Sequence, residues 1–150
     1  MELNQNINET EILLVEDNPS DAELTLRALK RRNLSNKISV VRDGEEALEF
    51  IFCTGRYAKR ENTMPIKVVL LDLKLPKVSG LEVLKAIKSN EATRPIPVVV
   101  VTSSQDDHDL KEAYTLGANS YIVKPVEFEN FVQSIGEAGL YWLTLNTPAK

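Results

Sequence analysis

Five residues of this 150-residue chain could do chemistry together, and each stands within two residues of the end of a short apolar run. Glu16 and Asp17 follow Ile12 to Val15. Asp72 follows Val68 to Leu71, Thr102 follows Val98 to Val101, and Lys124 follows Tyr121 to Val123. Two like charges ~4 Å apart repel by about 4 kcal/mol at an effective dielectric near 20, so three carboxylates in one pocket must hold a proton or share a cation. Oxygen ligands with no Cys and no nearby His suit a hard ion. Few protein ligands, with room left for waters and a substrate phosphate, favour Mg²⁺ over Ca²⁺. A carboxylate beside such an ion can act as a nucleophile on phosphorus, forming an aspartyl phosphate. That chemistry needs positioning and charge neutralisation more than acid–base groups. Asp72 is the central candidate nucleophile, because its run should lie beside the one that ends in Glu16-Asp17. Mg²⁺ and Lys124 would neutralise phosphoryl oxygens, and the Thr102 hydroxyl would donate to one. Any single acid here also reads as an ordinary turn residue or helix cap; the constellation does not.

The elements that must position these residues are legible in the hydrophobic pattern. The runs Ile12 to Val15, Ile38 to Val41, Val68 to Leu71, Val98 to Val101 and Tyr121 to Val123 are mostly continuous and rich in Val, Ile and Leu. Strands covered on both sheet faces read this way. The second run ends in Arg42-Asp43-Gly44, which reads as a solvated turn at the sheet margin. Helical segments lie between the runs. One opens at Asn18-Pro19, a cap followed by proline at the first helical position, with Ala22, Leu26 and Leu29 on one stripe. Another opens on the capping-box pattern Ser79-x-x-Glu82. A third covers Asp106 to Leu116 and stops at Gly117, with few apolar anchors. The last places Phe128, Phe131, Ile135, Ala138 and Trp142 on a helical stripe. Strand and helix alternating five times imply parallel βαβ units with helices on both faces. The expected fold is flavodoxin-like α/β: a (βα)5, doubly wound, five-stranded parallel sheet in the order 2-1-3-4-5, binding ligands outside the carboxyl ends of its strands. Residues 1–150 are expected to form a single domain, with a core over about 10–143, short terminal extensions and no effector domain.

Composition narrows function further. Hydrophobic residues make up 43% and charged residues 27%, and the net charge is −4. An acidic balance argues against nucleic-acid binding, which needs a basic face. A single cysteine, Cys53, excludes an intramolecular disulfide framework and a multi-cysteine zinc site; it reads as a buried small hydrophobe. The polar N-terminus is no signal peptide, and the apolar runs are far short of the ~20 residues that cross a bilayer. A soluble, cytoplasmic protein without membrane contact is expected.

Four segments, LLVEDNPSD, LLDLKLPKVSGLEVL, VVVVTSS and GANSYIVKP, together resemble the receiver domain of two-component response regulators over essentially the whole chain. The resemblance implies that Asp72 accepts a phosphoryl group from a phosphohistidine on a histidine kinase. It implies that Asp17 and Asp72 ligate Mg²⁺ with the backbone carbonyl of Lys74, and that Glu16 acts there directly or through water. Thr102 and Lys124 would contact the phosphoryl oxygens, and Tyr121 would be the switch aromatic that turns inward when Thr102 moves. The Lys124-Pro125 bond would be cis. Phosphorylation would change the face formed by the fourth helix, fifth strand and fifth helix, which meets a downstream protein. The polar stretch Thr54 to Thr63 and the ending Leu140-Tyr141-Trp142-Leu143 look like the single-domain regulators that work with bacterial phytochrome kinases.

Other features carry blander readings beside functional ones. Val132, Leu140 and Leu143 fall off the last stripe, which has Gly136 and Gly139 inside it; this end is either a homodimer or partner interface, or folds back on its own domain. The fourth helix, fifth strand and fifth helix are the other candidate dimer surface. Lys30-Arg31-Arg32 and the Arg56 to Arg60 loop read as solvated faces, and His108, among Asp106, Asp107 and Asp109, reads as exposed. A haloacid-dehalogenase-like phosphohydrolase needs a second acid two residues after its nucleophile, where this chain has Lys74. A flavin-binding carrier needs phosphate donors after the first strand, where this chain is acidic. The enzyme and cofactor-carrier readings therefore yield to the phosphoacceptor switch.

Overall fold

The computed structural model describes residues 7–31, 37–61 and 66–124. Five strands, β1 (Ile12–Val15), β2 (Ile38–Val41), β3 (Val68–Leu71), β4 (Val98–Thr102) and β5 (Ser120–Val123), alternate with α1 (Pro19–Arg31), α2 (Gly44–Phe52), α3 (Gly80–Ser89) and α4 (Asp107–Thr115). The sheet is entirely parallel, as the alternation implies, and its order is the expected β2-β1-β3-β4-β5. Ile12 stands beside both Ile38 and Val68, so β1, β2 and β3 start level.

The continuous apolar runs exist because both faces are covered. Leu13, Val15, Val69, Leu71, Val98 and Val100 pack on Phe50 of α2 and on Val83, Leu84 and Ile87 of α3. The alternate residues Ile12, Leu14, Val68, Leu70, Val99 and Val101 pack on Ala22, Leu26 and Leu29 of α1. Caps set where each helix begins. Asn18 Oδ1 accepts from the amides of Ser20 and Asp21 at the start of α1. Ser79 and Glu82 close the capping box of α3, and Asp106 caps α4. Gly117, at φ 110°, adopts a left-handed conformation that L side chains resist, and ends α4. As its sparse apolar residues suggest, α4 buries only Ala113.

Three local expectations are corrected. Arg42-Asp43-Gly44 is not simply a solvated turn: Asp43 caps α2 by accepting from the Glu46 amide at 2.7 Å. Cys53 is half-buried, not buried, and ends α2 in the left-handed region at φ 57°; closing the helix sets its conformation. Arg60, expected in a solvated loop, is 5% exposed. Its Nε donates to the Phe50 carbonyl at 2.8 Å, its Nη2 reaches the Ile51 carbonyl at 3.4 Å, and its guanidinium lies 4.4 Å from the Phe50 ring centre. The last carbonyls of a helix lack intrahelical donors, and Arg60 supplies them. Lys30, Arg31, Arg56 and His108 are exposed as expected. Arg32, the Phe128 to Trp142 stripe, the Leu140 to Leu143 ending and the Lys124-Pro125 peptide lie outside the described residues.

Candidate functional site

The carboxyl ends of β1, β3, β4 and β5 meet at one edge, and main-chain bonds hold them in register. The Asp72 amide donates to the Val15 carbonyl at 3.1 Å, and the Lys124 amide to the Thr102 carbonyl at 2.8 Å. Carboxylate oxygens of Glu16, Asp17 and Asp72 lie within 4.8 Å of one another. Glu16 and Asp72 are 3% and 8% exposed, whereas Asp17 faces solvent. The floor of the site is thus buried and its rim open.

Lys124 offsets part of this negative charge. Its Nζ lies 2.7 Å from Glu16 Oε1, 2.8 Å from Asp21 Oδ2 and 3.0 Å from Asp72 Oδ2. An ammonium has three N–H donors, and each finds a carboxylate. Burial drives the Glu16 carboxyl up to about 7, with repulsion from Asp72 adding to the rise against the downward pull of Lys124. Burial works the other way on Lys124, but the hydrogen bonds to Asp21 and Glu16 and the attraction of Glu16 and Asp72 outweigh it, so its pKa lies above the ordinary lysine value.

Backbone amides complete the floor. Asp72 Oδ1 accepts from the Lys74 amide at 3.2 Å, and Glu16 Oε2 from the Asn18 amide at 3.2 Å. Lys74 therefore borders the site, through its amide in these contacts. Gly80, the first residue of α3, presses on the same loop: a Cβ there would stand 2.2 Å from the Asp72 carbonyl oxygen.

Thr102 is fully buried at the end of β4, and its hydroxyl oxygen accepts from the Ser104 amide at 3.3 Å. The Tyr121 hydroxyl donates to the Ser104 carbonyl at 3.1 Å, and Ser104 Oγ donates to Asp109 Oδ2 of α4 at 2.6 Å. Burial raises the Tyr121 phenol above its ordinary value.

The structure therefore brings Glu16, Asp17, Asp72 and Lys124 together and sets Thr102 and Tyr121 on neighbouring strands. Two residues escaped sequence reasoning. Asp21 binds Lys124 from the first turn of α1, where an acid is ordinarily explained by the helix dipole. Asp109 ties α4 to the loop after β4. Their only local signal was an acid in the first turn of a helix that follows a chemistry-bearing strand end.

All-oxygen donors on three clustered side chains suit a divalent cation of the hard class. His108 plays no part: it is 77% exposed on its side chain and pairs with Glu112 at 3.1 Å. Among the described residues no helix is long and apolar enough to cross a membrane.

Comparison with known proteins points the same way. The family model of the response regulator receiver domain matches residues 12–136. A probable methanogenesis regulatory protein, FilR2 of Methanothrix harundinacea, is 44% identical over 135 residues, covering 90% of this chain and 84% of that protein. The crystal structure of the phosphorylated cyanobacterial phytochrome response regulator RcpA superposes with a TM-score of 0.85 at 36% identity, covering 95% of this chain and 99% of that one. The Mn²⁺-bound form of response regulator Rcp1 superposes with a TM-score of 0.84 at 34% identity, covering 93% and 98%.

Proposed function

The chain belongs to the response regulator receiver domain family of two-component signalling, and from that membership we propose that Asp72 is its phosphoacceptor in a Mg²⁺-dependent transfer from a histidine kinase. One observation carries this reading. Asp72 sits on the floor of the acidic cluster with one oxygen 3.0 Å from the Lys124 ammonium, so the charge of an incoming phosphoryl group meets a fixed cation.

An Asp72 carboxylate oxygen attacks phosphorus of the phosphohistidine. The new O–P bond forms as the N–P bond breaks, and the leaving imidazole keeps the electron pair and takes up a proton. Lys124 and the Thr102 hydroxyl stabilise the phosphoryl oxygens. Glu16, Asp17 and Asp72, with the Lys74 backbone carbonyl, are the residues that would hold Mg²⁺. The bound ion supplies positive charge against the phosphoryl oxygens. Asp17 keeps the open side of the cluster, where water and phosphate enter.

Lys74 occupies the place where a phosphohydrolase needs a general acid. That favours a phosphorylated protein as the product, a switch in place of a turnover enzyme. Readout runs through Tyr121 and Ser104 to α4 and β5, whose face meets a downstream protein or a second copy of the chain. Likeness to RcpA favours a phytochrome-type kinase as donor, working in the cytoplasm.

Incubation with Mg²⁺ and acetyl phosphate, followed by intact mass, should give one phosphoryl adduct that Asp72→Asn lacks. An adduct that survives in Asp72→Asn, or steady hydrolysis of assorted phosphate esters by the wild type, would refute the reading.

A further inference from the structure

We propose that Asp21 is a positioning residue for phosphoryl acceptance, holding the Lys124 ammonium over Asp72 from the first turn of α1; this rests on the reading of Asp72 as phosphoacceptor. Three carboxylates share the Lys124 donors, but they are not equivalent. Glu16 and Asp72 also belong to the three-residue cluster with oxygens within 4.8 Å of one another. Asp21 stands outside that cluster. Its contact with Lys124, at 2.8 Å, is therefore the one that does not compete with the cluster's other work.

Asp21 is well placed for a fixed anchor. Its amide donates to the Asn18 cap at 3.1 Å and its carbonyl accepts from the Thr25 hydroxyl at 3.0 Å, so its backbone is pinned at both ends. Its side chain is 31% exposed and that of Lys124 12%, which leaves the contact partly sheltered from solvent. Lysine is a flexible four-carbon chain ending in a point charge. Tethered by Asp21, its remaining two N–H groups stay on Glu16, at 2.7 Å, and on Asp72, at 3.0 Å, where the phosphoryl oxygens arrive. Without Asp21, the ammonium is held only by carboxylates of the cluster itself.

The test is a double-mutant cycle on Asp21→Asn and Lys124→Met, read in two ways. In chelator, without metal, urea unfolding should show coupling: Asp21→Asn lowers stability in the wild-type background and much less in Lys124→Met. With saturating Mg²⁺ and acetyl phosphate, Asp21→Asn should slow adduct formation about tenfold, the scale of one charge-assisted hydrogen bond at a partly exposed site. The slowing should vanish in Lys124→Met, and Asp21→Glu, which keeps the charge, should recover most of the rate. Absence of coupling in chelator, or equal slowing in both backgrounds, overturns the proposal for Asp21 while leaving Asp72 as acceptor. Absence of any adduct in the wild type overturns the Asp72 reading, and the Asp21 proposal with it.

Discussion

Gly80 offers the sharpest test of how the fold positions the acceptor. Its φ lies outside the left-handed region, unlike Gly55 and Gly117, so backbone freedom does not explain it. Close approach does: a Cβ at Gly80 would lie 2.2 Å from the Asp72 carbonyl oxygen, 2.5 Å from the Leu73 Cα and 3.0 Å from the Asp72 carbonyl carbon. The neighbours are backbone, so no side chain can rotate away. Relief demands roughly 1 Å of relative movement to reach ordinary van der Waals separation. Either α3 backs off its capping box and the hydrogen bond that the Gly80 amide donates to the Leu73 carbonyl at 2.9 Å, or the end of β3 moves. Overpacking of this kind costs about 1–3 kcal/mol, and a 1 Å displacement of a reacting group costs about 10²-fold in rate. Gly80→Ala should therefore lower the urea midpoint and slow phosphorylation by acetyl phosphate about a hundredfold at a temperature where it remains folded. Gly44→Ala is the control: its Cβ would stand 1.9 Å from the Val78 carbonyl oxygen, a clash as severe but six residues beyond Asp72. It should lose comparable stability with a far smaller rate effect. A cooperative, folded Gly80→Ala protein phosphorylated at the wild-type rate, or equal slowing in Gly44→Ala, would refute the reasoning.

Glu16 gives the pH dependence. Its carboxyl is raised in the fold from 4.5 to about 7, so the stability it contributes is full below about 4.5 and is lost as pH rises through about 7. The loss amounts to about 2–4 kcal/mol in metal-free protein; unfolding in chelator at about pH 5 and about pH 8 should show it, and Glu16→Gln should show a flatter profile. Lys88 predicts a structural effect away from the site. Its Nζ donates to the carbonyls of Arg94 at 3.0 Å and Ile96 at 2.7 Å, tying α3 to the entry of β4. Lys88→Met should cost about 1–2 kcal/mol by urea unfolding while the phosphorylation rate stays at its wild-type value.

The strands were legible because burial on both faces leaves an unbroken apolar run, and every run read from the sequence became a strand, with β4 and β5 each one residue longer. Alternation and handedness implied a parallel, doubly wound sheet, the flavodoxin-like order was expected for five strands, and with that order came the convergence of Glu16, Asp17, Asp72 and Lys124. What stayed hidden has a common cause. Asp21 and Lys124 are 103 residues apart in sequence, and nothing local distinguishes an acid that compensates a helix dipole from one that reaches a lysine. Arg60 looked solvated because its stretch is polar, yet its partners are the unsatisfied carbonyls at the end of α2. Gly80 was visible as a residue of a motif, but the 2.2 Å reason for it exists only once α3 is docked against the β3 end.

The charge arrangement also bears on how a phosphoryl group could be felt at a distance. All three Lys124 donors are occupied, so a phosphoryl oxygen gains one only by displacing a carboxylate, and the ammonium must shift. Lys124 follows β5 directly, and its amide is bonded to the Thr102 carbonyl at 2.8 Å, so that shift bears on the ends of β4 and β5 together. Three residues back on β5, the Tyr121 hydroxyl holds the Ser104 carbonyl, and Ser104 holds Asp109. At the far end of this sequence of contacts α4 buries Ala113 alone. A helix with so small a buried face costs little to move, whereas α1 and α3, each with several buried anchors, do not yield. Strain entering at Lys124 would therefore be spent on α4, and amide exchange in α4 should rise on phosphorylation while that in α3 holds.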